Sequence, residues 1–281
     1  MIDFLLGPFS LEFMQRALAA AVVVGALCST IGTYVVLRKL SFIGDGIAHA
    51  SFAGVVVAYL RGLDYYIGAG IVAVLTALGI GYVTRRGRVA LDTAIGVMFT
   101  GAFALGVFLM SRQSHYNVDL ESFLFGNILA VSRQDLVLIL VLAAIVAGAL
   151  ALLYRPLLYT SFDPVVAEAS GVNVALIDYV LLVLLALTII VSLESVGIVL
   201  VAALLVTPAA TAYQLTRRFR PMMLLSAAIG TGCAVLGLYL SYYLNAGSGA
   251  TIVLLATGAF FVAMALSRAG FSAGRRSRPS P

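Results

Sequence analysis

The chain has 281 residues and a formal net charge of +5; 62% of its residues are hydrophobic and only 10% are charged. Soluble globular domains carry about 25% charged residues, so this composition excludes a soluble domain. The arginines lie in short connectors beside apolar runs, which indicates membrane topology and not nucleic-acid binding. We therefore expect an all-α, polytopic integral membrane protein whose surroundings are a lipid bilayer.

Apolar runs of spanning length follow one another along the chain. A membrane-spanning helix needs about 20 mainly apolar residues, and the sequence predicts eight or nine such helices. The runs cover residues 11–37, 42–60, 65–83, 93–110, 136–153, 174–192, 196–215, 222–244 and 250–266. The basic cluster after the third run belongs in the cytoplasm, so nine crossings would place the amino terminus outside and the carboxyl terminus inside.

The chain divides into a transmembrane region and a short tail. We assign residues 1–267 to a transmembrane domain, because apolar runs extend through it. Residues 268–281 are basic and rich in Ser and Pro, which predicts a disordered cytoplasmic tail. The two cysteines, Cys28 and Cys233, stand alone in apolar runs and are interpreted as small packing residues.

Asp45 and His49 place an acid and an imidazole inside the second apolar run. In a helix, residues four apart project from one face, one turn apart, so the two side chains can bind one cation. A carboxylate and an imidazole suit Mn(II), Zn(II) or Fe(II), and the absence of nearby Cys or Met argues against Cu(I). A second copy of the chain about a two-fold axis would double the ligand set. The alternative is an ion pair that fixes one helix, or residues that reach water near Arg38 and Lys39.

Other polar residues in or near the runs have simpler interpretations. A carboxylate at the bilayer centre costs about 2.5 to 3.5 kcal/mol, so each one needs a partner, water or a function. Asp178 is near the start of its run and is expected to face the membrane interface. Glu194 lies at a run boundary, where an exposed loop carboxylate is expected, and His115 lies in a predicted outer loop.

The connector at residues 160–172 differs from the others because it carries helix signals. Ser161 or Asp163 can cap a helix amino terminus, Pro164 suits the first turn, and Gly171 suits the carboxyl-terminal end. We predict a short cytoplasmic helix of about two turns. Such a helix either docks on a soluble partner or is only a capped connector.

Four ordered motifs resemble the permease subunit of metal-importing ABC transporters, the family that moves manganese, zinc or iron(II). The motifs occupy residues 36–54, 162–171, 196–212 and 248–254, and the resemblance covers residues 9–269. It implies that Asp45 and His49 are metal ligands in the pathway. It also implies that residues 162–171 form a coupling helix that docks on the ATPase. The docking residues are then Phe162, Asp163, Pro164, Ala167 and Gly171.

The resemblance also implies the rest of the transporter. A second copy of the chain would form a homodimer around the path, an ABC ATPase dimer would bind in the cytoplasm, and an extracytoplasmic metal-binding protein would deliver the ion. The location would be the bacterial cytoplasmic membrane. The chain has no Walker A loop, so we expect a transport subunit that is not itself an enzyme, with no permanently bound cofactor.

The cargo is expected to be Mn(II), with Zn(II) or Fe(II) as alternatives. Residues 119–129 and 241–249 look more like the manganese and iron branch of the family than the zinc branch. Coordination chemistry does not decide, since zinc outranks manganese for such ligands. Glu194 stands where the family is expected to have an uncharged polar residue, and whether it is a gate contact or an accessory ligand is open.

Three other functional classes have to be weighed. A secondary cation transporter would also bury an acid and a histidine, but it needs no coupling helix and often shows inverted repeats. An importer of vitamin B12 or iron chelates would use the same coupling helix, yet would give the pair Asp45 and His49 no obvious task. A membrane enzyme is disfavoured, because the sequence shows no HExxH, paired-Asp or Ser–Lys arrangement in its apolar runs.

Overall fold

The computed structural model describes residues 11–87, 89–112 and 128–276, without the side chains of 194–196 and 268–276. Within these residues the regular secondary structure is helical, which confirms the all-α prediction. The helices are α1 (Glu12–Leu37), α2 (Ile43–Arg61), α3 (Tyr65–Arg86), α4 (Leu91–Ser111), α5 (Arg133–Leu152), α6 (Tyr154–Phe162), α7 (Pro164–Ala169), α8 (Val174–Val196), α9 (Ile198–Leu215), α10 (Phe219–Leu244) and α11 (Ser248–Arg276), with a 3₁₀ turn at Ile128–Ala130.

Nine helices of the described part are long and apolar enough to cross a membrane, namely α1 to α5 and α8 to α11. Each coincides with a predicted run, so the prediction of eight or nine spans resolves to nine. Helix α3 continues to Arg86 and α10 begins at Phe219, both beyond the apolar runs, because long basic side chains at helix ends can extend toward water. The helix α11 is described to Arg276, past the predicted start of the tail at residue 268, and the domain boundary stays a prediction.

Helix α1 is deeply enclosed between α9 and α10. The Ser226 hydroxyl of α10 donates to the Ser29 carbonyl at 2.7 Å, and the Ser29 hydroxyl donates to the Leu204 carbonyl of α9 at 3.3 Å. A Cβ at Gly32 would collide with the Leu205 carbonyl, so only glycine lets the backbones of α1 and α9 approach this closely. Small residues and hydroxyl hydrogen bonds therefore hold this side of the bundle together, as is usual inside a membrane.

Helix α2 lies between α3 and α4 and is packed by glycines. The backbones of α2 and α3 meet at Gly54 and Gly68, where a Cβ on either residue would strike the other's carbonyl. On the opposite side, Gly106 of α4 fits against the backbone of Ala53. Helix α2, which carries Asp45 and His49, is thereby fixed against two neighbouring spans.

The short helices α6 and α7 connect the spans α5 and α8. Helix α6 packs against α1 and α8, and α7 packs against α6 and α8. At the other end of α8 the chain reverses into α9 through Gly197, whose φ of 82° is strained for any residue with a side chain. The connector formed by α6 and α7 lies at the same end of the bundle as the carboxyl terminus of α1, because Arg38 at that terminus binds Ser161 of α6.

Candidate metal pathway and docking helix

The structure brings Asp45 and His49 together in the first two turns of α2. His49 Nδ1 lies 3.0 Å from the backbone carbonyl oxygen of Asp45 and 3.4 Å from its Oδ1. A carbonyl oxygen only accepts hydrogen bonds, so Nδ1 carries the proton in this arrangement. In the neutral ring the lone pair is then on Nε2, which is the nitrogen available to a metal ion. The Asp45 carboxylate lies in the first turn of α2, where the helix dipole favours negative charge.

Two aromatic rings of α4 contact the His49 imidazole. The His49 ring meets the Phe99 ring edge-on at 5.3 Å between centroids and the Phe103 ring at 6.1 Å. Both phenylalanines lie midway along α4, so the imidazole is near the middle of a neighbouring span. The aromatic rings shelter the imidazole, while the Asp45 side chain is 50% exposed in the single chain. The carboxylate therefore faces open space and the imidazole lies behind it.

A single chain brings a small ligand set to this position. Within the described residues no three His, Cys, Asp or Glu side chains come together in a metal-binding cluster. The Glu194 backbone lies in the last turn of α8, but its side chain is outside the described part, so its predicted gate or ligand role is still a prediction. His115 also lies outside the described residues. So do most of residues 119–129, the segment whose sequence favoured the manganese branch.

Helix α7 forms where the connector signals predicted a short helix. The Asp163 Oδ1 accepts from the N–H groups of Val165 and Val166 at 3.1 and 3.0 Å, and Pro164 occupies the first helical position. Gly171 follows with a φ of 84°. The helix is shorter than the predicted 162–171, because the residue before a proline avoids the helical region and Asp163 is extended. Phe162 therefore belongs to the end of α6.

The surface at α7, which we call the α7 patch, consists of Phe162, Val165 and Val166. These side chains are 62%, 76% and 59% exposed. Ala167, predicted as a docking residue, is instead buried against the body of the protein. Three neighbouring exposed apolar side chains beside a capped helix are the kind of patch that another protein covers. Ala167 therefore packs α7 onto the protein, and its predicted docking role stays a prediction.

Asp178 does not simply face the membrane interface, because it joins two arginines from distant helices. Its Oδ1 accepts from Arg38 Nη1 at 2.5 Å and its Oδ2 accepts from Arg85 Nη2 at 2.6 Å. Arg38 also donates from Nε to the Ser161 hydroxyl at 2.9 Å and from Nη2 to the Thr160 hydroxyl at 2.5 Å. We call these five residues the Arg38 network. The sequence analysis missed it, although an acid near the start of a span and two basic helix ends were visible signals.

Comparison with known proteins decides the family. The model of the ABC 3 transport family matches residues 10–267. The chain belongs to the ABC 3 transport family. The match extends from the residues before α1 through the candidate span of α11, so it includes every predicted site residue. With the nine apolar helices, it confirms a multi-pass protein of the bacterial inner membrane and a transport subunit of ABC type.

Relatives of this ABC 3 chain carry names that refer to metals. It is 47% identical to "Manganese transport system membrane protein MntC" of Halalkalibacterium halodurans over 92% of this chain and 88% of that protein. It is 38% identical to "Probable iron transport system membrane protein" of Haemophilus influenzae over 95% and 98% of the two chains. Among solved structures, "PsaBC from Streptococcus pneumoniae in complex with Fab" matches with a TM-score of 0.82 and 38% identity, covering 94% and 95% of the chains. The resemblance noted from the motifs is thus confirmed.

Proposed function

We propose that this chain is the membrane-spanning permease subunit of an ATP-driven Mn(II) importer and that Asp45 and His49 contact the ion in transit. The observation that carries the proposal is the pair itself, a half-exposed carboxylate beside an imidazole whose Nδ1 is engaged by the backbone, which leaves Nε2 as its metal-binding nitrogen. The manganese in the name of the Halalkalibacterium halodurans relative supports the choice of cargo.

The incomplete ligand set suits transport better than storage. One carboxylate and one imidazole are compatible with Mn(II), Zn(II) and Fe(II), but two protein ligands bind an ion weakly. A second copy packed about a two-fold axis would contribute its own pair, and the exposed Asp45 carboxylate leaves room for that arrangement. An ion must be bound well enough to enter and weakly enough to leave. Glu194 at the end of α8 is our candidate for a gate or an accessory ligand.

ATP hydrolysis is proposed to occur in a separate ABC ATPase dimer that receives α7. The exposed Phe162, Val165 and Val166 give that partner an apolar contact, and Asp163 keeps the helix formed while it docks. Pro164 and Gly171 fix where the helix begins and where the chain leaves it. An extracytoplasmic metal-binding protein is proposed to deliver the ion at the opposite side of the membrane.

Iron is the second candidate cargo, because the Haemophilus influenzae relative carries iron in its name. Zinc is the third, since its ligand preferences overlap with those of the other two. The ligand types of Asp45 and His49 do not separate these ions, so selectivity has to come from geometry or from the delivering protein.

Competition transport measures the cargo directly. The complete complex in proteoliposomes is given Mn(II), Zn(II) and Fe(II) together, with and without ATP. We expect ATP-dependent Mn(II) uptake that exceeds uptake of the other two ions. Uptake without ATP would favour a secondary carrier, and uptake of none of the ions would overturn the proposal in favour of a chelate importer.

A further inference from the structure

We propose that Arg38 is a positioning residue that transmits movement of the docking helix α7 to the pair Asp45 and His49. The inference rests on the proposed function and adds a mechanical connection to it. The relevant feature is that one guanidinium contacts the chain on both sides of α7, while Arg38 itself lies in the short turn between α1 and α2.

Arg38 binds the chain on each side of α7. Before α7, its Nε donates to Ser161 and its Nη2 donates to Thr160, both in the last turn of α6. After α7, its Nη1 donates to Asp178 in the first part of α8. The planar guanidinium fork fixes the angle between these partners, so a movement of α7 that displaces either flank must move Arg38 or break its hydrogen bonds.

The hydroxyl partners are oriented to accept from Arg38. The Thr160 hydroxyl donates to the Pro156 carbonyl at 2.9 Å, and the Ser161 hydroxyl donates to the Leu157 carbonyl at 2.6 Å. With each proton directed into α6, the oxygen lone pairs face the guanidinium. The Arg38 side chain is only 12% exposed, which makes these charge-assisted contacts stronger than surface contacts.

The connection from Arg38 to α2 is short and firmly packed. The Lys39 φ of 58° is unusual for a residue with a side chain, so the turn after α1 is tightly constrained. Leu40 N–H donates to the Val35 carbonyl at 2.8 Å, and Ile43 N–H donates to the Leu40 carbonyl at 2.9 Å. Ile43 is fully buried at the start of α2. A displacement of Arg38 is therefore passed to the first turn of α2, where Asp45 lies, and is not absorbed by a loose loop.

The remaining contact of the network anchors it to a third span. Arg85 at the end of α3 shares Asp178 with Arg38 through the second carboxylate oxygen. Helix α3 also packs along α2 at Gly54 and Gly68. Docking movement thus reaches α2 from two sides, through the turn after α1 and through α3.

Two variants distinguish transmission of movement through Arg38 from a purely structural role in holding the helices together. Arg38→Gln removes the charge, and the double variant Ser161→Ala with Thr160→Val cuts only the contact to α6 while keeping the ion pair with Asp178. We expect each variant to lower Mn(II) taken up per ATP hydrolysed by about tenfold, within the usual range of coupling free energies. We expect ATP hydrolysis and Mn(II) binding by the nucleotide-free complex to stay near wild type, which a merely unstable protein would not do. The control is Arg61→Gln at the opposite end of α2, whose side chain is exposed.

The experiment uses the assembled complex in proteoliposomes, with ⁵⁴Mn uptake and phosphate release measured on the same sample. A wild-type ratio of uptake to hydrolysis in the double variant overturns the inference, even if Arg38→Gln fails to assemble. Absence of Mn(II) uptake by the wild-type complex would overturn the proposed function and this inference with it. Loss of coupling in both variants, with the Arg61→Gln control unchanged, is the result we expect.

Discussion

Two carboxylates inside the spans, those of Asp178 and Asp45, differ in how the protein compensates their charge. Asp178 is held by Arg38 and Arg85, one on each oxygen, at 2.5 and 2.6 Å. Asp45 is paired with His49 of its own helix at 3.4 Å and is half exposed. A carboxylate in a membrane protein needs compensation, and Asp178 receives it from the protein. Asp178 is thus compensated within the protein, whereas the Asp45 carboxylate is left half exposed, which is why we propose it as the acid that meets the transported cation.

The variant Asp45→Asn tests the proposed role of the Asp45 carboxylate and should have the largest effect. The amide keeps the shape but loses the charge, so we expect Mn(II) uptake by the complex to fall by about a hundredfold or more, since even outer-shell changes at metal sites cost 10–100-fold. Stability should stay within about 0.5 kcal/mol of wild type, as for most exposed substitutions. Uptake assays and thermal unfolding of the same preparation measure both quantities.

Asp92→Ala is the matched control, because Asp92 is an exposed acid in the first turn of the neighbouring α4. It should leave uptake unchanged. Normal uptake by Asp45→Asn would remove Asp45 from the metal pathway.

Asp178→Asn, in contrast to Asp45→Asn, should lower the stability of the protein. Removing the charge leaves Arg38 and Arg85 facing each other without their shared anion. Breaking a buried pair costs about 3–5 kcal/mol, and Asp178 is 32% exposed, so we expect a loss of about 1–3 kcal/mol. Denaturant or thermal unfolding in nanodiscs measures it against Asp45→Asn. Equal stability of the two variants would show that Asp178 is not the structural acid.

Gly171→Ala tests the chain between the docking helix and Asp178. Its φ of 84° costs a residue with a Cβ about 1–2 kcal/mol. We expect α7 to shift and Mn(II) uptake per ATP to fall, with the metal pair intact. Gly148→Ala is the control, because Gly148 lies inside α5 with open space around it. If the Gly171→Ala complex couples uptake to hydrolysis as wild type does, the geometry at Gly171 is irrelevant to docking.

Asp163 is a third carboxylate, and its oxygen is satisfied by backbone N–H groups. Asp163→Ala should cost about 1 kcal/mol of local helix stability, while Asp163→Asn should cost little because both residues cap well. Hydrogen exchange of residues 164–169 in the assembled complex measures the difference. The alanine variant exchanging as slowly as wild type would mean that the ATPase, and not the cap, keeps α7 folded.

Local patterns predicted most of the fold. The spans follow from apolar length, and α7 follows from Asp163, Pro164 and Gly171, because caps and proline act within a few residues. The mutual position of Asp45 and His49 follows from helix geometry alone. These features depend on near neighbours in the chain and are readable in a single sequence.

The Arg38 network was not predictable in the same way. Arg38 and Asp178 are separated by 140 positions and Arg85 and Asp178 by 93, so their meeting depends on how four helices pack. The burial of Ala167 and the position of Phe162 at the end of α6 depend on the same packing. Glycine contacts such as Gly54 with Gly68 set these distances, and no local signal says which glycine will meet which.

The most direct test of the account is pulsed electron paramagnetic resonance of Mn(II) bound to the complex without the delivery protein. This chain contributes only 2 histidines to the complex, His49 and His115, so one variant at each position tests every imidazole that the chain can offer the ion. We predict ¹⁴N coupling in the wild type, its loss in His49→Ala and its retention in His115→Ala. Coupling that persists in His49→Ala would contradict a metal pathway through Asp45 and His49.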